Sequence, residues 1–116
     1  MILLIEYPPC STCKKAKKFL NEHKLPFVAR HIVDETPTKD ELAVWFAASN
    51  LPIKRFFNTS GQVYRELNLK ERIDSMSDDE LLTLLSENGM LIKRPLLIQG
   101  SRVLVGFKEK EYLSLT

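Results

Sequence analysis

The two cysteines of the chain, Cys10 and Cys13, lie close together in the stretch YPPCSTCKKAKKFL. Such a pair could bind a metal ion, form a structural disulfide, exchange disulfides with a substrate, or fill a core as two small apolar side chains. A structural disulfide is disfavoured, because it would close a very short loop and constrain the unfolded chain little. Zinc usually needs four ligands, and the only histidines, His23 and His31, do not have the zinc-finger spacing. The pattern therefore favours a reactive cysteine pair, and we expect no metal site.

The elements around this motif are predicted to place Cys10 at the beginning of a helix. The apolar run Ile2–Glu6 is typical of a buried strand, and the prolines that follow it indicate a stiff turn. From Ser11 onward, apolar residues recur at helical spacing. Free backbone N–H groups and the positive end of the helix dipole would then favour a thiolate at Cys10, and Lys14 would add positive charge. Cys13 would lie on the same helical face, close enough to attack a disulfide formed at Cys10.

After this helix, the chain is predicted to continue with a second strand and a helical middle. Residues 26–33 (PFVARHIV) have the composition of a strand, which would complete a strand–helix–strand unit with the CxxC motif at its first turn. Two capping boxes, at residues 38–41 and 77–80, each predict the start of a helix. The pair Asn88-Gly89 is expected to end the second of these helices, with glycine at its C-terminal cap.

The last part of the chain changes from helical to strand periodicity. Two short apolar runs, at residues 95–98 and 102–105, predict a β-hairpin, and residues 108–115 predict a terminal helix. Together these elements indicate an α/β fold: a four-stranded mixed sheet flanked by helices, with a helical insertion between the βαβ unit and the C-terminal ββα unit. We expect residues 1–116 to form one domain, since this length suits a single core.

Composition narrows the functional classes. The hydrophobic fraction of 44% and charged fraction of 28% are those of an ordinary globular protein. A net charge of +2 does not indicate binding to nucleic acid or to an anionic membrane. No apolar run approaches the roughly 20 residues that span a bilayer, and the opening MILLI is too short for the core of a signal peptide. We therefore expect a cytoplasmic protein, in a compartment that keeps thiols reduced.

Several segments of the chain resemble the arsenate reductase-like (ArsC/Spx) family. The run PPCSTCKKAKKFL, the segment FFNTSGQVYRELNL, the helix MSDDELLTLL and the ending MLIKRPLLIQGSRVLVGF match the family in order over essentially the whole chain. The chain is most similar to the short members that carry a CxxC motif. The resemblance implies a thioredoxin-like fold with the helical insertion described above. It also implies that Pro95 follows a cis peptide bond and faces the CxxC motif.

The resemblance further assigns roles to particular residues. Cys10 matches the reactive cysteine that attacks the oxyanion in arsenate reductases, and Arg94 matches one of the arginines that surround this oxyanion. A planar guanidinium suits a tetrahedral oxyanion or a sulfenate. We expect Ser11, Thr12 and the Arg94-Pro95 backbone to line the substrate site beside Cys10.

The chain also departs from the arsenate reductases of this family. Asn58 aligns with a further family arginine, although Arg55 and Arg65 lie nearby in the sequence, and residues 105–107 (VGF) stand where a third arginine is found. Cys13 has no counterpart in those reductases. An oxyanion without two of its three arginines would bind weakly, so true arsenate reduction is the disfavoured interpretation.

The sequence thus predicts a thiol–disulfide redox protein, with an oxidoreductase activity. Cys10 would attack an oxidised thiol or a small oxyanion, and Cys13 would resolve the adduct as a Cys10–Cys13 disulfide. Thioredoxin or a glutathione/glutaredoxin system would restore the dithiol, and no cofactor is implied. Two alternatives stay open. One is an Spx-like redox-sensing regulator that binds RNA polymerase, since Spx proteins share the CxxC motif and the RPLLI…VGF ending; the other is a scaffold with vestigial thiol chemistry.

Overall fold

Four strands form one mixed sheet in the computed structural model, which describes residues 1–116. The strands are β1 (Ile2–Glu6), β2 (Phe27–His31), β3 (Leu96–Gln99) and β4 (Arg102–Val105), in the spatial order β2-β1-β3-β4. β1 and β2 are parallel, whereas β3 pairs antiparallel with both β1 and β4. The predicted strand–helix–strand unit, the C-terminal hairpin and the four-stranded mixed sheet are therefore confirmed.

Helices flank this sheet and fill the chain between its two halves. One helix connects β1 to β2, four lie in the insertion between β2 and β3, and one follows β4. None of them is long and apolar enough to cross a membrane. In chain order they are α1 (Ser11–Glu22), α2 (Lys39–Ser49), α3 (Gln62–Glu66), α4 (Leu69–Arg72), α5 (Asp78–Glu87) and α6 (Glu109–Leu113), and the insertion also has short 3₁₀ segments at Ile53–Phe56, Ile73–Ser75 and Gly89–Leu91.

Both faces of the sheet are covered, which explains the unbroken apolar runs in β1 and β3. Successive side chains of a strand point to opposite faces. Leu4 accordingly packs on the side of α1 and α6, whereas its neighbour Ile5 packs on the side of the insertion. The insertion side holds 18 of the clustered buried residues and the α1–α6 side holds seven. The insertion is therefore a main part of the core and not an appendage.

Both predicted capping boxes are confirmed. At the start of α2, the Thr38 hydroxyl accepts the Glu41 N–H at 3.1 Å, and the Glu41 carboxylate accepts the Thr38 N–H at 3.0 Å. Ser77 and Glu80 form the same reciprocal pair at the start of α5. An N-cap of this type typically stabilises a helix by about 1 kcal/mol, so local sequence alone fixes where these two helices begin.

Of two predictions about where elements end, one was wrong and one is confirmed. β2 stops at His31 instead of reaching residue 33, because the His31 ring Nδ1 accepts the N–H groups of Val33 and Asp34, both at 3.1 Å, and turns the chain. The end of α5 is confirmed, since the helix stops at Glu87 with Asn88 as its C-cap. Gly89 does not adopt the left-handed conformation common at such a position, since its φ is not positive. A Cβ at this position would overlap the backbone carbonyl of Ile32, so glycine is needed here for close packing.

The insertion is attached to the chain that leads into β3. Phe57 and Ile92 pair as an isolated antiparallel bridge, and the N–H of Lys93 donates to the carbonyl of Phe56 at 2.8 Å. Residues 55–58 are therefore held next to the segment that carries Arg94. This attachment brings side chains from the insertion to the edge of the CxxC motif.

Candidate active site at the start of helix α1

Cys10 is the N-terminal cap of α1, as predicted. Its backbone is extended (φ −71°, ψ 125°), and its N–H donates to the Tyr7 carbonyl at 2.9 Å, which closes the turn after β1. The Cys10 side chain is half-buried, and both cysteines are free thiols. A residue at this position faces the unpaired N–H groups of the first helical turn. The Cys10 sulfur is thus accessible and lies at the positive end of the helix.

The surroundings of Cys10 favour its thiolate form. Burial by itself would raise the pKa of Cys10, but hydrogen bonding from the N–H groups of Cys13 and Thr12, the Cys13 thiol and the Arg94 guanidinium outweighs it, so the pKa lies below 9.0. Lys14, which the sequence suggested as a source of positive charge, is not among these groups. Donors at a helix start and one guanidinium therefore stabilise the Cys10 thiolate.

Cys13 has the opposite character. Its side chain is fully buried, and its sulfur accepts the N–H of Tyr7 at 3.4 Å. Burial is the main cause that raises the pKa of Cys13 to about 12. The Tyr7 N–H acts in the opposite direction, whereas the hydrogen bond with the Cys10 side chain and the negative charges of Cys10 and Glu6 also raise this pKa. The pair therefore consists of an accessible thiol with a lowered pKa and a buried thiol with a raised pKa, and the two share one hydrogen-bonding contact.

A buried carboxylate lies behind this pair, and the sequence analysis did not single it out. Glu6, the last residue of β1, is only 4% exposed, and its Oε1 lies 2.9 Å from the Lys17 Nζ. Lys17 is one helical turn beyond Cys13 on α1. The signal in the sequence was an acidic residue ending an apolar strand, which does not by itself indicate whether the side chain is buried.

Arg94 reaches the site from the chain that precedes β3. Its guanidinium carbon lies 5.2 Å from the centroid of the Tyr7 ring, a cation–π contact, and its Nη1 donates to the Met90 carbonyl at 3.3 Å. The buried Nε of Arg94 has no partner within the protein. These contacts hold the guanidinium beside Cys10, whose thiolate it stabilises.

The other predicted site residues are placed as follows. The Arg94-Pro95 peptide bond is cis, as the family resemblance implied, and the Pro95 carbonyl accepts the Gly106 N–H at 2.8 Å. Thr12 is half-buried in the first turn of α1 and offers its N–H toward Cys10. Ser11 is exposed and is not among the groups that stabilise the thiolate.

Two grooves border the site. The first, which we call the Asn58 groove, has a volume of about 420 Å³ and is lined by Asn58, Gly61, Gln62, Val63, Glu66, Met90 and Arg94. The second, the Lys93 groove, has a volume of about 450 Å³ and is lined by Thr12, Arg55, Lys93, Val105, Gly106, Phe107 and Lys108.

The positions that align with family arginines lie in two different grooves. Asn58 shares one groove with Arg94, whereas residues 105–107 lie in the other. Of the two nearby arginines, Arg55 lines the Lys93 groove, and Arg65 instead donates to the Ser60 carbonyl at 2.9 Å. No group of three or more His, Cys, Asp or Glu side chains is placed to hold a metal ion.

Comparison with known proteins agrees with the fold. The sequence pattern of the ArsC family matches residues 5–115. The uncharacterized protein YusI of Bacillus subtilis is 54% identical over 91% of this chain and 90% of its own, and the global transcriptional regulator Spx of Streptococcus pneumoniae is 33% identical over 96% and 82%. The crystal structure of an ArsC family related protein from Bacteroides fragilis superposes with a TM-score of 0.96, at 49% identity over 99% of this chain and 97% of that one. The protein is therefore a member of the ArsC family with the thioredoxin-like fold of its relatives.

Proposed function

We propose that this protein is a thiol–disulfide redox protein that uses Cys10 as its nucleophile and Cys13 as its resolving thiol. The observation that carries the proposal is the contrast between the two sulfurs. Cys10 is accessible with a lowered pKa, whereas the pKa of the buried Cys13 is raised to about 12. To attack as a thiolate, Cys10 needs an accessible sulfur and a lowered pKa. To react only after Cys10 has been modified, Cys13 needs to be buried and protonated until then.

The reaction proceeds in two exchanges. The Cys10 thiolate forms a bond to one sulfur of a substrate disulfide, the substrate S–S bond breaks, and one substrate thiolate leaves. Cys13 then attacks the Cys10 sulfur and passes its proton to the departing second half of the substrate, which leaves as a thiol as the Cys10–Cys13 disulfide forms. The substrate gains two electrons and the cysteine pair loses two. A dithiol of the thioredoxin type, or two glutathione molecules with or without a glutaredoxin, supplies the electrons that restore the pair.

Arg94 and the start of α1 act as the electrostatic part of this site. The guanidinium and the N–H groups of Thr12 and Cys13 stabilise negative charge on the Cys10 sulfur, both before attack and when Cys10 becomes the leaving group in the final reduction. The Arg94-Pro95 backbone and Thr12 border the space in which the substrate disulfide lies. Ser11 is exposed and lies at the edge of this space.

Single-cysteine variants test the proposal. With hydroxyethyl disulfide as substrate, Cys13→Ser is expected to accumulate one stable adduct, seen as a mass increase, because Cys10 attacks but nothing resolves the product. The wild-type protein is expected to pass through this adduct and lose two hydrogens as its internal disulfide forms. Cys10→Ser is expected not to react. If Cys10→Ser reacted as fast as Cys13→Ser, the assigned roles would be wrong.

A redox-sensing regulator is the second candidate, favoured by the similarity to Spx proteins. The Spx relative from Streptococcus pneumoniae is 33% identical over 96% of this chain. In this case the Cys10–Cys13 pair would switch the protein between two binding states, with RNA polymerase as the partner. Co-purification of RNA polymerase with the oxidised but not the reduced protein would support the regulator, and a Cys10→Ser, Cys13→Ser double variant provides the control that cannot switch.

Arsenate reduction is less well supported. Asn58 offers a neutral amide in the groove that it shares with Arg94, at the position aligned with a family arginine. A highly charged oxyanion would lack a charge-assisted contact there, so we expect weak arsenate binding. Arsenate-dependent turnover with an excess of reduced glutathione and glutaredoxin measures this activity directly.

A further inference from the structure

The Lys93 groove carries positive charge that no acidic side chain neutralises. Arg55, Lys93 and Lys108 line it, together with four uncharged residues. None of the three cations takes part in an ion pair of the protein. By contrast, Lys17 and Arg30 are each bound to a carboxylate at less than 3 Å. The groove therefore concentrates cations that remain available to a bound anion.

The packing of the chain brings these three cations together. The hydrogen bond between the Lys93 N–H and the Phe56 carbonyl, 2.8 Å, holds the segment with Arg55 beside Lys93. The Lys93 side chain lies against Gly106, since a Cβ at this glycine would be 3.4 Å from the Lys93 Cε. Lys108 follows two residues later at the start of the last helical segment. The three positions are far apart in sequence and meet only in the fold.

The positive surface extends beyond this groove. A further groove of about 370 Å³ shares Arg55 and Lys93 with it and adds Lys54, again without an acidic residue in its lining. The two grooves together form a track of four cations that leads away from the CxxC motif. A substrate that reached Cys10 could therefore place its negative groups along this track.

The Lys93 groove borders the first turn of α1, next to Cys10. Thr12, which lines the groove, offers its backbone N–H toward Cys10. Gly106, also in the lining, is hydrogen-bonded to Pro95. The groove therefore lies beside the space in which a disulfide must lie to be attacked by Cys10. Its volume of about 450 Å³ is that of a site for a small molecule.

We propose that the Lys93 groove binds the carboxylates of low-molecular-weight disulfides and thereby selects anionic disulfides as substrates. This inference rests on the proposed function, since the groove would hold the substrate for attack by Cys10. The cations attract the carboxylates of the substrate before attack. They also attract the carboxylate-bearing thiolate that leaves when the Cys10–substrate bond forms. Exposed ion pairs each change an equilibrium by up to about fivefold, so three of them can select among substrates by charge.

A series of three small disulfides tests the proposal. Dithiodipropionate carries two carboxylates, hydroxyethyl disulfide is neutral, and cystamine carries two ammonium groups. Each rate with the wild-type protein is divided by the rate of the same disulfide with mercaptoethanol, which removes the intrinsic reactivity of the probe. We expect the normalised rates to fall from the anionic to the cationic probe by about tenfold or more at low salt, and the difference to shrink as salt is added. Because all probes use the same thiolate, the ratios do not depend on the Cys10 pKa.

Matched variants distinguish the groove from net charge. Lys93→Gln is expected to lower the ratio of anionic to neutral rates by about threefold. Lys70→Gln removes the same charge from an exposed lysine in a different groove and is expected to leave the ratio unchanged. Equal normalised rates for the three probes, or equal effects of the two variants, would overturn the inference while leaving the redox function intact. Failure of all three probes to react would overturn both this inference and the proposed redox function.

Discussion

The difference between the two cysteines leads to a quantitative prediction for alkylation with iodoacetamide at neutral pH. A thiol with the pKa of about 12 found for Cys13 is ionised to about one part in 10⁵ at pH 7, against about one part in 10² for an ordinary cysteine with a pKa of 9.0. The factor of about 10³ is partly offset, because thiolate nucleophilicity rises with pKa and returns about 20-fold over three pKa units. Cys13 should therefore react about 50-fold more slowly than an ordinary cysteine, even before its burial is counted.

Cys10 should react faster than an ordinary cysteine at the same pH. Its pKa is lowered from 9.0, so its thiolate fraction is larger, and its sulfur is accessible. We expect intact mass to rise by one label and then to stop, with peptide mapping placing that label at Cys10. The rate constant should reach half its maximum below pH 9.0.

The control is the same experiment in concentrated urea, where both cysteines should take up label at similar rates. Labelling of Cys13 within tenfold of the rate of Cys10 in the folded protein would refute the assignment of an accessible thiolate and a buried thiol. Preferential labelling of Cys13 would show that Cys13, and not Cys10, is the reactive cysteine.

Three further predictions follow from single substitutions. Arg94→Gln removes a donor that lowers the Cys10 pKa, so the midpoint of the pH–alkylation profile of Cys10 should move to higher pH; an unchanged midpoint would show that the guanidinium does not act on the sulfur. The Arg30 guanidinium holds the pKa of Glu41 at about 2, below its ordinary 4.5, so the stability from this pair is fully present above pH 4.5 and is lost as pH falls toward 2. Because Glu41 is partly exposed, we expect Glu41→Gln to lower the free energy of unfolding in urea by only about 1–2 kcal/mol at pH 7. The variant should also lose less stability than the wild-type protein as the pH falls from 4.5 toward 2. Gly89→Ala should reduce the free energy of unfolding by about 1–3 kcal/mol or more, because the added Cβ meets backbone that cannot move aside easily; a wild-type urea midpoint would contradict the packing described.

Features encoded by neighbouring residues were predictable from the sequence. The apolar run of β1 and the helical spacing after Ser11 placed Cys10 at a helix start, and the capping boxes placed the beginnings of α2 and α5. These signals are local, since they depend on backbone hydrogen bonding and side-chain periodicity within a few residues. The cis bond before Pro95 came only from the family resemblance, because most X–Pro bonds are trans.

Features that depend on distant parts of the chain were not predictable. The burial of Glu6 against Lys17 becomes evident only when α1 packs on the sheet. Arg55 and Lys93 have no sequence pattern that marks them as neighbours, and the backbone pairing between the insertion and the approach to β3 brings them together. The expectation that Lys14 stabilises the Cys10 thiolate rested on its closeness in sequence, and the structure assigns this effect to other groups.

A redox titration shows whether Cys10 and Cys13 form a redox pair. The protein is equilibrated in glutathione buffers of known ratio, the free thiols are trapped by alkylation, and the product is measured by intact mass. The proposed function predicts a single two-electron transition between dithiol and Cys10–Cys13 disulfide, with a midpoint within or above about −220 to −320 mV, the range of the cytosolic glutathione couple. Absence of this disulfide even in strongly oxidising buffer would contradict the proposed function and leave Cys10 at most a lone nucleophile.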